Sequence, residues 1–174
     1  MARLTDDLLC LASSDADRWR LQSESVGLDV FLLETVEAMA PVAARKKHPF
    51  KTDVPDSLLP SVTTDKARLR QIVEILINNA LEHTDEGTAV TLGARNGRNA
   101  VIIFVADNGN GISDKDKKRV FERFFRADAS RTAKAHFGLG RSVAKERSLL
   151  LGGALSVRDT EGGGATFVLS LPKK

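Results

Sequence analysis

Apolar residues along this chain recur first at helical and then at strand spacing. Leu4, Leu8 and Leu11 share one helical face opposite Asp6 and Asp7, and Ser13-Ser14-Asp15 ends that pattern. A linker over residues 22–25 leads to Asp29, which predicts the N-cap of a helix over residues 30–47. Its Phe31, Leu32, Val36, Met39 and Val42 or Ala43 line one side, and Pro41 falls inside it. Short extended stretches follow at 50–54 and around 61–63, with a turn at Pro55-Asp56 between them. Asp65 caps the clearest helix, where Leu69, Ile72, Val73, Leu76 and Ala80 fall at i, i+3, i+4, i+7 and i+11. Alternation then predicts a hairpin, 89–94 and 100–106, turning at Asn96-Gly97-Arg98-Asn99. Ser113 or Asp114 caps a polar helix reaching Phe125, residues 128–137 read as an irregular loop, and 138–151 is helical again. Strands at 154–158 and 165–171 flank Glu161-Gly162-Gly163-Gly164. Helices mixed with hairpins predict a two-layer α/β sandwich of the α+β class, a mixed and mostly antiparallel sheet covered by helices on one face. Regular strand–helix alternation, and with it a Rossmann sheet, is disfavoured.

Composition narrows the picture. With 174 residues, 42% hydrophobic and 28% charged, the chain suits one folded domain with a short appendage. The charge of +3 is spread out, and the run Lys115-Asp116-Lys117-Lys118-Arg119 reads as a solvated face, so no nucleic-acid partner is expected. One cysteine, Cys10, excludes an internal disulfide and a cysteine-based zinc site. No run of 18 apolar residues and no signal peptide is present, which predicts a soluble cytosolic piece that is not itself membrane-embedded.

Thirteen glycines carry more information, because they cluster at Asp107-Asn108-Gly109-Asn110-Gly111, Phe137-Gly138-Leu139-Gly140 and Gly162-Gly163-Gly164. Singly, each is an ordinary tight turn or packing element. Glycine turns beside a helix start nevertheless leave backbone N–H groups free for phosphate, and the helix near Gly138 adds its positive end. Neither GxGxxG nor GxxxxGK[ST] occurs. Asn79 lies on the flank of the apolar stripe, one turn after Ile75 and one turn before Glu82 and His83. Its amide oxygen could coordinate Mg²⁺; alone, a helix-end Asn more simply bonds backbone.

In order along the chain stand Asn79-Ala80-Leu81-Glu82-His83-Thr84, Asp107-Asn108-Gly109-Asn110-Gly111-Ile112, Val120-Phe121-Glu122-Arg123-Phe124-Phe125-Arg126, Gly138-Leu139-Gly140 and Gly163-Gly164-Ala165-Thr166-Phe167. This series resembles the N box, first glycine box, F box, second glycine box and final glycine-threonine motif of sensor histidine kinase ATP-binding domains, over residues 25–174. The resemblance implies a Bergerat-type ATP-binding fold, with ATP and Mg²⁺ between helices and sheet. By that resemblance Asp107 accepts the adenine amino group, Gly109 and Gly111 let backbone pass beside the base with Ile112, and Thr166 sits under it near Asp107. Asn79 holds Mg²⁺, His83 touches phosphate or ribose, and Gly138, Leu139 and Gly140 meet the phosphates. Residues 113–137 form a lid docked by Phe121, Phe124 and Phe125, with Arg126 or Arg131 reaching the γ-phosphate.

The implied reaction is γ-phosphoryl transfer to a histidine on a separate dimerisation hairpin, with a response regulator downstream. Residues 1–22 resemble the end of that hairpin. None of His48, His83 or His136 has the acceptor's setting, and His48, before Pro49, reads as a surface residue. Departures from the pattern are Ile75 for a first Asn, Glu82 at an often basic position, and His136 and Arg141 for small and apolar residues. Glu82 would either help hold Mg²⁺ or repel phosphate. The alternative is a module that binds nucleotide, or only its partner hairpin, without phosphoryl transfer.

Overall fold

Every residue of the second long helix that the 3.6-residue period points inward is buried, and the sheet is assembled against it. The structure is a computed structural model and describes residues 21–125 and 138–173. Its elements in order are β1 (Ser23–Gly27), α1 (Leu28–Arg45), β2 (Phe50–Asp53), β3 (Ser61–Asp65), α2 (Lys66–His83), β4 (Val90–Asn96), β5 (Ala100–Asp107), α3 (Asp114–Lys117), α4 (Gly140–Leu150), β6 (Ala154–Asp159) and β7 (Ala165–Pro172). Five strands form one sheet in the order β2-β4-β5-β7-β6, and β1 and β3 form a separate pair. Only β2 and β4 run parallel; the other neighbours are antiparallel.

Alternation along β5 separates two faces. Val101, Ile103, Val105 and Asp107 are buried, and the residues between them are half-buried. Register places Val105 beside Phe167 and Ile103 beside Leu169, so one face is a continuous apolar layer with Leu92 and Leu155. Helix α2 covers it with Leu69, Ile72, Val73, Leu76, Ile77, Ala80 and Leu81. Helix α4 packs beside α2, and α1 adds Phe31, Leu32 and Met39. This is the two-layer α+β arrangement that the pattern predicts, with one sheet face uncovered by helices among the described residues.

Asp65 anchors the entry to α2. Its Oδ1 accepts from the Arg68 N–H at 3.0 Å, an N-cap bond that satisfies one of the helix's orphan donors. Its other oxygen accepts the Gln22 N–H at 3.1 Å, fastening the approach to β1.

Several expectations are corrected. The linker at 22–25 is largely strand: Ser23 to Gly27 pair with β3, residue for residue, from Asp65 to Ser61. Asp29 does not cap α1, which begins at Leu28, and instead accepts the Leu59 N–H at 3.1 Å. The helix expected to reach Phe125 stops at Lys117, because Val120 and Phe125 turn inward while the run before them is polar. His48 is buried, with Nδ1 2.9 Å from the Thr88 carbonyl. The helix expected at the N-terminus, with Cys10, lies outside the described residues.

Gly93 on β4 lies opposite Phe104. A Cβ there would overlap the Phe104 ring and stand 2.6 Å from the Asp53 carbonyl oxygen. Gly93→Ala should therefore lower unfolding stability by about 2 kcal/mol, as overpacking generally does. Urea denaturation checks this, and a loss below about 0.5 kcal/mol, the range of neutral surface changes, contradicts it.

Candidate functional site

Asp107 closes β5 and is 8% exposed. Its Oδ1 accepts two backbone N–H groups, Gly109 at 3.0 Å and Ala165 at 3.3 Å. Among the described residues Oδ2 has no hydrogen-bond partner, and it is not sealed from solvent as the Thr64 hydroxyl is. A carboxylate held by one oxygen and open at the other is a fixed acceptor for an external N–H donor. The turns around it touch one another. A Cβ at Gly164, where φ is 99°, would overlap the Asp107 carbonyl oxygen, so only glycine lets β7 start this close to the end of β5. Gly111 in turn lies against the Gly164 carbonyl. Asn108 pins the first glycine turn to the start of β4, accepting the Ala89 N–H at 2.7 Å.

Helix α2 spans from this cradle to the second glycine turn. Its C-cap Thr84 meets Gly109, where a Cβ would come within 2.9 Å of the threonine methyl. Nearer its middle, Ile75 meets Gly140, whose added Cβ would lie 3.4 Å from the Ile75 side chain. Asn79, half-buried, stands between those two contacts along the helix, one turn from Ile75. His83, the last residue of α2, is exposed. Leu139 is buried and makes no side-chain capping bond, so among the described residues the first N–H groups of α4 have no side-chain acceptor. At Gly138, φ is 68° and a Cβ would lie 2.8 Å from the Phe125 carbonyl oxygen, so the turn packs on the backbone of the F-box segment. Phe121 meets Phe167 edge-on at 6.0 Å and is flanked by the Lys145 ammonium at 5.4 Å. Ile112 is half-buried against the core.

Residues 64–174 match the family of histidine kinase-, DNA gyrase B-, and HSP90-like ATPases. The chain belongs to that family. Among curated proteins, the sensor histidine kinase WalK of Bacillus subtilis is 33% identical over 178 residues, covering 100% of this chain and 29% of WalK. The alginate biosynthesis sensor protein KinB of Pseudomonas aeruginosa is 31% identical over 97% of this chain and 28% of KinB. This ATPase-family chain thus spans under a third of the length of these relatives. A crystal structure of full-length ShkA in complex with AMPPNP superimposes with a TM-score of 0.85 at 31% identity, over 98% of this chain and 35% of ShkA. The expected Bergerat-type sandwich is the fold observed.

The structure gathers Asp107, Gly109, Gly111, Ile112, Asn79, Gly138, Leu139 and Gly140 around the α2 side of the sheet. It does not bring Thr166 there. Thr166 pairs with Ala106, one residue from Asp107, and strand alternation turns it to the opposite face. Its hydroxyl lies 2.9 Å from that of Thr160, and it lines a cavity of about 470 Å³ with Arg95, Phe104 and Arg158. The group that reaches Asp107 is the neighbouring Ala165 N–H, legible from the sequence once Val105 and Phe167 are taken as face partners. Glu82 is ion-paired with Lys46 of the α1 end at 3.3 Å, which balances its charge. Lys117, expected to be solvated, bonds Asp114 at 2.8 Å and Asp159 at 2.6 Å. Arg126 and Arg131, with the rest of residues 126–137 of the expected lid, lie outside the described residues.

Burial raises the Asp107 pKa, and the bonds from Gly109 and Ala165 oppose it only in part. With the folded value above the unfolded one, the carboxyl group's contribution to stability is full below about pH 4, the unfolded value, and is lost as it ionises when pH rises through the folded value. Asp107→Asn keeps an acceptor for both N–H groups and removes the charge. It should melt above the native chain at about pH 7, with a smaller gap at about pH 4. Thermal melts at both values check this; a gap that does not change with pH contradicts it.

Proposed function

We propose that this chain is the ATP-binding catalytic domain of a sensor histidine kinase, which transfers the γ-phosphoryl group of ATP to a histidine on a separate dimerisation hairpin. The observation that carries this reading is Asp107, a buried carboxylate with one oxygen fixed by backbone and the other open, inside a cradle that only glycines allow. Family membership supports the same reading. Asp107 Oδ2 accepts the exocyclic amino group of adenine, a donor that guanine lacks at that position. The backbone around Gly109 and Gly111 flanks the base. The uncapped start of α4 offers N–H donors and its positive dipole end to the phosphates.

Asn79 fits a magnesium ion as a neutral oxygen donor. No group of three or more His, Cys, Asp and Glu side chains that could hold a metal occurs among the described residues, so phosphate oxygens and water would complete the shell. Magnesium would supply charge neutralisation on the phosphates. The acceptor imidazole nitrogen forms a bond to the γ-phosphorus while the bond to the β,γ-bridging oxygen breaks, and ADP leaves with that electron pair. Arg126 or Arg131 is assigned to the γ-phosphate on the family pattern. The phosphohistidine would then serve a response regulator. No helix among the described residues is long and apolar enough to cross a membrane; a cytosolic location is part of the proposal.

A second reading, nucleotide binding without transfer, is favoured by Ile75. It fills a contact beneath Gly140 where the family pattern has a polar side chain.

Calorimetric titration with ATP and ADP, with and without Mg²⁺, tests the first step. The native chain should bind both, and Asp107→Ala should weaken each by at least about thirtyfold, the cost of losing a buried charged acceptor. Native chain that binds neither removes the proposal. Phosphorylation of a supplied hairpin by the bound chain, followed with labelled ATP, separates the readings: transfer supports the kinase, and binding without transfer supports the second. Thr166→Val should change ATP affinity by less than about twofold, since its hydroxyl lies on the far face.

A further inference from the structure

Arg141 directly follows the second glycine turn, where the family pattern has an apolar residue. Its side chain is half-buried, and its guanidinium donates to the Phe125 carbonyl at 3.3 Å. Among the described residues no carboxylate lies within ion-pair distance of it. The same carbonyl oxygen is the atom that a Cβ at Gly138 would strike. One backbone oxygen is therefore enclosed by the glycine turn on one side and a guanidinium on the other.

Other ties join this segment to α4, but they join side chains. Arg123 pairs with Glu146, and Lys145 lies over the Phe121 ring. Among the described residues, Arg141 makes the one hydrogen bond from α4 to the segment's backbone. The segment's own ties are the Phe125 N–H bond to the Glu122 carbonyl at 3.3 Å and the inward Phe125 side chain under Arg119, and neither engages the Phe125 carbonyl. Phe124 sits at φ 62°, an uncommon conformation for a bulky residue, with its side chain 63% exposed. Burial lowers the Arg141 pKa, as expected for a cation drawn from water without a counter-charge. It stays protonated, because arginine starts so high.

We propose that Arg141 is a positioning residue for the nucleotide's terminal phosphate: by holding the Phe124–Phe125 backbone against the Gly138 turn, it fixes the rim of the site at the start of α4. This rests on the reading that the chain binds ATP. Among the described residues no hydrogen bond or ion pair joins Arg141 to the adenine end, built on Asp107, Gly111 and Gly164. ATP extends one phosphate further than ADP, so the loss of a fixed rim weakens ATP more than ADP.

The test is titration of the 174-residue chain with MgATP and MgADP for native, Arg141→Met and Arg141→Gln forms, with Asp107→Asn as a control. Arg141→Met should lower the ratio of ATP to ADP affinity by about tenfold, the usual scale for a charge-assisted hydrogen bond. Arg141→Gln, which keeps one donor without charge, should lower it by about threefold, and it decides the matter if the Met form does not fold. Asp107→Asn should weaken both nucleotides alike. A preserved ratio in the folded Arg141 variants overturns the proposal, including the case where both affinities fall together, which marks a purely structural role. Native chain that binds neither nucleotide overturns the ATP reading and this inference with it.

Discussion

A carboxylate cannot be both withdrawn from water and left without donors, and the resolution of that conflict at Asp107 organises the surrounding backbone. Two N–H groups are aimed at one of its oxygens, Gly109 from the turn that follows β5 and Ala165 from the first residue of β7. For both to reach a single atom, β7 has to begin almost on top of the end of β5. That approach excludes a side chain at Gly164. The glycines are thus a geometric condition for solvating a buried charge with backbone, and the open oxygen is what remains once the condition is met.

The same logic of close approach runs along α2. Its C-cap touches one glycine turn and its middle touches the other, so one rigid helix sets the spacing between the two ends of the site. The apolar stripe of Leu69, Ile72, Leu76 and Ala80 fixes the rotation of that helix on the sheet, and with it the side on which Asn79 stands. Packing and chemistry are here the same constraint: the residues that bury the helix also aim its flank.

Much of this is legible in the sequence, for physical reasons that differ from element to element. The α2 stripe and the β4–β5 hairpin announce themselves because their burial is one-sided and their partners are close in sequence. Strand β1 was hidden because Val26 is its one buried residue and its partner lies beyond α1. His48 looked exposed among lysines, yet the α1 end folds against the loop before β4, with Lys47 bonded to Glu86 and the Thr88 carbonyl beside the ring. The family pattern points to Thr166 for the base, yet it is Ala165 that reaches Asp107, and in a strand one residue is a whole face. Arg141 stood out as a departure, but its partner is a backbone oxygen, and no side-chain pattern reports which carbonyl a guanidinium will find.

No loop separates β3 from α2. Asp65 ends the strand and caps the helix at once, and the paired strand β1 continues directly into α1. The strand pair and α2 therefore meet at a single joint, and Asn79 stands about 20 Å along the helix from it at 1.5 Å per residue. A misalignment of about 5° at that joint would amount to roughly 2 Å at the amide by the same geometry, so it is the buried stripe along the helix that keeps the amide in register.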